Sequence, residues 1–201
     1  MKVIVLTSLP LAGKTTYAKI FGEKYNIPLF ETGTVVLEEV KKRGYDFIPE
    51  NIKKVTDDCK KISDSYFTER LIEKIDNLDE EIKAVFVSGI RAVSEIEVLK
   101  RHFGETNVFI IAFHASLRTR FGRLDNPDRK EGENSSKAKE DEYLRNFDNF
   151  LARNKKELGY GVGSVMALAD YVLNTEDKKW PYSNVSRCKK IFEIILLEIL
   201  G

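Results

Sequence analysis

The sequence predicts an α/β fold: a parallel sheet covered by helices on both faces, organised around one phosphate-binding turn. Three observations point there. Continuous apolar runs recur at residues 3–6 (Val-Ile-Val-Leu), 84–87 (Ala-Val-Phe-Val) and 108–113, the pattern of strands buried on both faces. Segments of helical period separate them, so strand and helix alternate. The first run leads through Ser8-Leu9-Pro10-Leu11-Ala12-Gly13-Lys14-Thr15 into the first helical segment, which is the strand–turn–helix setting a phosphate loop requires.

Taken in order, residues 3–6 are the first strand and 13–25 the first helix. Residues 28–30 form a short second strand, followed by a Thr32-Gly33-Thr34 turn and a helix over 34–42 that stops at Gly44. Residues 51–78 are helical in period and long enough for more than one helix. The third strand, 84–87, ends at Ser88-Gly89. A helix over 94–102 follows, with Ser94 a suitable N-cap. The fourth strand, 108–113, leads to a helix over 116–124. Residues 126–138 are polar and lack an apolar period, so they read as a loop or lid tip. Residues 140–158 are helical, and Gly159, Gly161 and Gly163 punctuate a turn. A short helix closes at 166–169, the fifth strand is 171–173, and residues 186–200 form the last helix. Gly159, Gly161 and Gly163 follow a helix, so they are no dinucleotide fingerprint.

A chain of 201 residues suits one domain, residues 1–201, with a sizeable core and an inserted lid. The net charge of +1 argues against nucleic acid or an anionic membrane as the main partner. Cys59 and Cys188 lie far apart and form no metal-ligand pair, so reduced thiols in a cytoplasmic protein are expected, with a single bridge as the alternative. The N-terminus does not read as a signal peptide, and the apolar run at 191–200 is too short to span a bilayer. A monomer or homodimer is expected.

The chemistry sits in the loop. Backbone N–H groups of Leu11, Ala12, Gly13, Lys14 and Thr15, at the start of a helix, suit phosphate oxygens. The Lys14 ammonium can bridge β- and γ-oxygens. The Thr15 hydroxyl can ligate Mg²⁺, and Thr16 can contact the α-phosphate. Ser8 stands where the motif's first glycine belongs; serine fits there if its φ is negative.

With these residues the chain resembles the archaeal adenylate-kinase-related family of small P-loop proteins, of nucleoside-monophosphate-kinase and dephospho-CoA-kinase-like type. The likeness covers nearly the whole chain. It rests on the phosphate loop, Thr32-Gly33, Ser88-Gly89-Ile90-Arg91, residues 114–123, and Glu157-Leu158-Gly159-Tyr160-Gly161-Val162-Gly163 running into Ala167-Leu168-Ala169-Asp170-Tyr171. The resemblance implies a P-loop NTPase fold of nucleotide-kinase type. Its parts are three α/β/α layers, five parallel strands in the order 2-3-1-4-5 and a helical lid over about 116–158. It implies ATP with Mg²⁺ as phosphate donor and a nucleotide-like small molecule as acceptor. Thr32, Gly33 and Arg91 then resemble acceptor-binding residues, with Arg91 holding a phosphate. Arg120 and Arg123 resemble lid-base arginines, and Arg153 the arginine after the lid; with Lys14 they are the expected catalytic cations.

Four more positions depart from the family pattern. Ser88 replaces an aspartate that organises Mg²⁺ through water, and Thr34 an aspartate near the acceptor. Leu37 replaces a phosphate-gripping arginine, and Asn154 an acidic residue. Lys41, Lys42 and Arg43 could compensate for the lost cation, and Glu31 for a lost carboxylate. Two functions of different class follow: a phosphotransferase, or a nucleotide-binding regulatory protein that kept the cradle and lost the chemistry. His114 and His102 read as strand-end and helix-end residues. Trp180-Pro181-Tyr182 reads as an anchor for the last helix. Residues 174–177 could either line an adenine pocket or form a plain turn.

Overall fold

A computed structural model describes residues 1–125, 136–176 and 185–201. The lid tip at 126–135, Asp177 and Trp180-Pro181-Tyr182 lie outside the described residues. Among those described, five strands form one parallel sheet in the order β2-β3-β1-β4-β5. They are β1 (Lys2–Ser8), β2 (Leu29–Glu31), β3 (Ala84–Ser88), β4 (Val108–His114) and β5 (Tyr171–Asn174). This is the expected order. It follows from burial: β1 and β3 carry fully buried Val3, Ile4, Val5, Leu6, Val85, Phe86 and Val87, which only central strands can do. Two apolar clusters sit on opposite faces. Val3, Val5, Val85 and Val87 point to one, and Ile4, Leu6 and Phe86 to the other, as the two-residue strand period requires.

Helices α1 (Lys14–Tyr25) and α2 (Thr32–Lys42) follow the first two strands. α2 starts two residues earlier than the sequence suggests, so Thr32 and Gly33 are its first turn rather than a turn before it. The long helical stretch is two helices, α3 (Pro49–Ile62), with proline in its first turn, and α4 (Tyr66–Asp76). α5 (Val93–Phe103) is not capped by Ser94: Glu95 reaches back to the N–H groups of Arg91 and Ala92 at 2.8 and 2.9 Å.

After β4 come α6 (Leu117–Gly122), α7 (Ser136–Leu144), α8 (Phe147–Gly159), α9 (Val162–Ala167) and α10 (Val185–Leu200). The expected single helix over 140–158 is broken: Asn146 accepts hydrogen bonds from the N–H groups of Asp148 and Asn149 and starts a new helix. Helix α7 already begins at Ser136, inside the stretch read as loop, because its sequence carries no apolar face to reveal it. Around the break, Leu124, Leu144 and Phe150 make a small third apolar cluster with Phe121 and Leu11. Asp170, just before β5, accepts from the Ile110 N–H at 2.7 Å and helps set the β4–β5 register.

Candidate nucleotide site

The phosphate loop leaves β1 at Ser8 and enters α1 at Lys14. Ser8 is ordinary strand, paired with Phe113, so the missing glycine costs nothing there. The left-handed positions are Leu11 (φ 67°) and Gly13 (φ 98°). A left-handed leucine costs on the order of 1–2 kcal/mol. Two anchors offset that strain: the Leu11 side chain packs into the Leu124–Leu144–Phe150 cluster, and its carbonyl accepts from Arg123 Nη1 at 2.9 Å. Thr16 and Tyr17 donate to the Gly13 carbonyl, which leaves the Lys14 and Thr15 amides as open helix-start donors.

Every loop carbonyl from Pro10 to Ala12 is tied from outside. Arg120, only 4% exposed, donates Nη1 to the Pro10 carbonyl at 2.9 Å and to Asn154 Oδ1 at 2.6 Å, and Nε to the Ala115 carbonyl at 3.1 Å. Arg123 takes the Leu11 carbonyl and, through Nη2, the Thr175 carbonyl. Thr175 donates its hydroxyl towards the Ala12 carbonyl at 2.7 Å and the His114 carbonyl at 3.1 Å. Carbonyls held in this way leave the loop amides available to an anion. Burial, and then the neighbouring Arg123, lower the Arg120 pKa to about 10. Asn154 gives Arg120 a neutral acceptor rather than an ion pair.

Lys14 reaches across to β3, where its Nζ donates to Ser88 Oγ at 2.7 Å. Burial lowers its pKa, opposed by the charge of Glu31; Arg91 lowers it further and Glu157 raises it. These charges mark out the second half of the site. Glu31 ends β2 directly across from Ser88 in the register. Arg91 follows β3, with its Nε on Glu157 Oε2 at 2.8 Å and its Nη1 on the Gly89 carbonyl at 3.2 Å. Arg153 Nη2 reaches Glu157 Oε1 at 3.2 Å and Glu140 at 3.5 Å. Glu157 is thus buried between two arginines. Arg153 Nε is buried without an acceptor among the described residues.

Two glycines permit this closeness. A Cβ on Gly89 (φ 91°) would meet Thr32 Oγ1 at 2.3 Å, and one on Gly161 (φ 101°) would meet the Arg91 carbonyl at 2.9 Å. The first lets the start of α2 close on the end of β3, and the second seats the α8–α9 turn on Arg91. Of the remaining expected residues, Thr32 is buried, Gly33 and Thr34 are exposed on the first turn of α2, and Thr15 and Thr16 are exposed at the start of α1. Leu37 is exposed. Arg43 is turned away, bonded to Glu39 and Cys59. His102 pairs with Asp76 at 3.0 Å. At the outer rim, Lys60, Lys156 and Arg91 lie 5.7, 5.8 and 5.9 Å from the ring centre of exposed Tyr160. Of residues 174–177, by sequence either an adenine lining or a plain turn, Thr175 holds the Ala12 carbonyl instead, and Glu157 was missed as a site residue. Glu157 had a signal: it lies four residues after Arg153, on the same helix face.

Residues 7–143 match the AAA domain family. A UPF0200 protein of Thermococcus sibiricus is 34% identical over 90% of this chain and 89% of its own length. One from Methanocaldococcus jannaschii is 32% identical over 100% and 92%. One from Pyrococcus abyssi is 31% identical over 98% and 97%. Among solved structures, shikimate kinase from Acinetobacter baumannii in complex with shikimate aligns with a TM-score of 0.54 at 15% identity, covering 100% of this chain and 96% of that one. Shikimate kinase from Bacteroides thetaiotaomicron aligns at 0.50 and 15%, covering 97% and 98%. At such identity the likeness shows the fold, that of P-loop kinases. On its relatives and its phosphate-loop domain together, the chain belongs to the archaeal UPF0200 family of P-loop kinase-like proteins.

Proposed function

We propose that the protein is an ATP-dependent phosphotransferase acting on a nucleotide-like small molecule. The observation that carries this reading is the loop whose carbonyls at Pro10, Leu11 and Ala12 are all held outward by Arg120, Arg123 and Thr175. Such a loop presents amides to an anion without reorganising, which favours phosphate binding. Lys14 would hold the β- and γ-oxygens, and Leu11, Ala12, Gly13, Thr15 and Thr16 would line the phosphates. The donor set fits Mg²⁺: the exposed Thr15 hydroxyl and Ser88 Oγ are hard oxygen ligands, directly or through water. Among the described residues no cluster of three His, Cys, Asp or Glu forms a ready-made metal site, so the nucleotide's phosphates would supply most of the coordination. Mg²⁺ would neutralise charge on the phosphoryl oxygens.

Arg120 and Arg123 act in this reading through the loop they fasten, and Arg153, with its buried unsatisfied Nε, supports the oxygens of the transferring group. In this reading the segment over about 116–158 would serve as the lid. Thr32, Gly33 and Arg91 line the acceptor side, and the cations around Tyr160 suit an anionic tail on the acceptor. The second reading, a non-catalytic nucleotide-binding protein, draws on Ser88 and Asn154, where carboxylates are replaced by neutral groups. ADP release from MgATP, screened across nucleotide and nucleoside acceptors, separates the two. The kinase reading expects acceptor-dependent ADP that Lys14→Ala abolishes. ATP that is bound yet never consumed would establish the second reading.

A further inference from the structure

The site holds two carboxylates with opposite fates. Glu157 is buried, and both its oxygens are taken by arginines. Glu31 is half-buried, and its carboxylate makes no hydrogen bond or ion pair among the described residues, though its charge acts on Lys14. It is nonetheless firmly placed. β2 is locked to β3 through Glu31 opposite Ser88, and the next residue, Thr32, packs against Gly89 with no room for a Cβ. A fixed, half-buried carboxylate without a partner invites a ligand that brings a proton or a cation.

Its place in the sheet selects between them. Neighbouring strands lie about 4.8 Å apart. The phosphate loop springs from β1, Ser88 ends β3 one strand away, and Glu31 ends β2 two strands away. Lys14, the residue that would follow the γ-phosphate, points along this line to Ser88. A nucleotide held by the loop therefore directs its terminal phosphoryl group towards Ser88. An attacking atom in line, on the far side from the leaving diphosphate, falls in front of Glu31. The metal belongs on the near side, by Thr15.

The cations favour the same assignment. A phosphate acceptor needs surplus positive charge and no base, because its oxygens are already ionised at neutral pH. Here Arg91 and Arg153 are balanced by Glu157 and Glu140, and position 37 is a leucine. The remaining lysines, Lys60 and Lys156, lie out at the Tyr160 rim. A hydroxyl acceptor needs a carboxylate to take its proton, and no cations of its own beyond those on the transferring phosphoryl group.

Resting on the phosphotransferase reading, we propose that the accepting atom is a hydroxyl oxygen and that Glu31 is its general base. The hydroxyl oxygen forms a bond to the γ-phosphorus, the bond from that phosphorus to the β–γ bridging oxygen breaks, and ADP leaves. The hydroxyl proton passes to the Glu31 carboxylate and then to solvent. The product is a phosphate monoester, not a phosphoanhydride.

The test uses the full chain as wild type, Glu31→Gln and Glu31→Asp. MgATP affinity is read by calorimetry. ADP formation is read with water alone, with nucleosides and polyols, and with nucleoside monophosphates, and the bond type of any product by phosphorus NMR. The proposal expects ester products, ATP affinity in Glu31→Gln within about twofold of wild type, and turnover lower by ~10²–10⁴-fold. Glu31→Asp, keeping the carboxylate on a shorter arm, should recover part of the rate. Anhydride products overturn it, and so does a Glu31→Gln rate within about threefold of wild type. Wild type that binds MgATP but forms no ADP under any of these conditions also overturns it. Wild type that binds no ATP removes the phosphotransferase reading itself, a failure distinct from the others.

Discussion

The two halves of the site are built in different ways. On the donor side, side chains fix backbone: Arg120, Arg123 and Thr175 hold loop carbonyls, and the residue that bears the strain, Leu11, is anchored at both its side chain and its carbonyl. On the side proposed for the acceptor, side chains fix each other: Arg91, Arg153 and Glu157 form a partly buried ion-paired group, with Glu31 left apart. A backbone cradle recognises a feature common to all nucleoside triphosphates. A side-chain group can change its partner by one substitution. The departures expected from the family resemblance fall on both sides: Thr34, Leu37 and Ser88 at the second half or between the halves, Asn154 beside Arg120 and Ser8 at the end of β1, where the strand tolerates it.

If this contrast is right, damage to the donor side should appear in stability and ATP affinity together. Arg120→Ala leaves the Pro10 and Ala115 carbonyls and Asn154 Oδ1 without their buried donor. We expect a loss of about 3 kcal/mol in unfolding free energy by chemical denaturation, with weaker MgATP binding in the same variant. A loss below about 1 kcal/mol would show that the loop does not depend on its fastening.

Damage to the acceptor side should spare ATP. Gly161→Ala forces a Cβ to within 2.9 Å of the Arg91 carbonyl at a φ of 101°. The strain should lower stability by about 2 kcal/mol while MgATP affinity stays level. Equal losses of ATP affinity in Gly161→Ala and Arg120→Ala would erase the distinction between the halves.

Ser88 sits between them, and the smallest expected effect is there. An aspartate would add a charge to orient metal-bound water, so Ser88→Asp should raise Mg²⁺-dependent turnover by roughly 10-fold, equivalent to ~1.4 kcal/mol. Without metal, ATP affinity should stay level or fall, because the new carboxylate repels phosphates and draws Lys14 to itself. A slower Ser88→Asp enzyme would mean that the Lys14–Ser88 contact, at 2.7 Å, sets the lysine's working position.

Sequence pattern made the fold and the donor side legible for one physical reason: both rest on local order. Apolar runs such as residues 3–6 mark central strands by themselves, and Gly13-Lys14-Thr15 between strand and helix marks a phosphate loop. The broken lid helix escaped because Asn146 caps α8 within a polar run, where no apolar period marks the break. Ser94 misled because Glu95 caps α5 more effectively, by reaching back to two amides. The contacts of Thr175 and Glu157 were illegible for a different reason. Their partners, Ala12 and Arg91, are 163 and 66 residues away in sequence. Arg120 and Arg123 could be read as cations of the site, but not as residues whose donors are spent on loop carbonyls.

The central claim is that this fastened loop holds the phosphates of ATP through its amides and Lys14. Calorimetric titration of MgATP into wild type and Lys14→Ala tests it most directly. Loss of the charge-assisted contact should weaken binding by ~2–4 kcal/mol, with the fold unchanged by circular dichroism. Equal affinities in the two proteins, or no heat of binding in wild type, would contradict it.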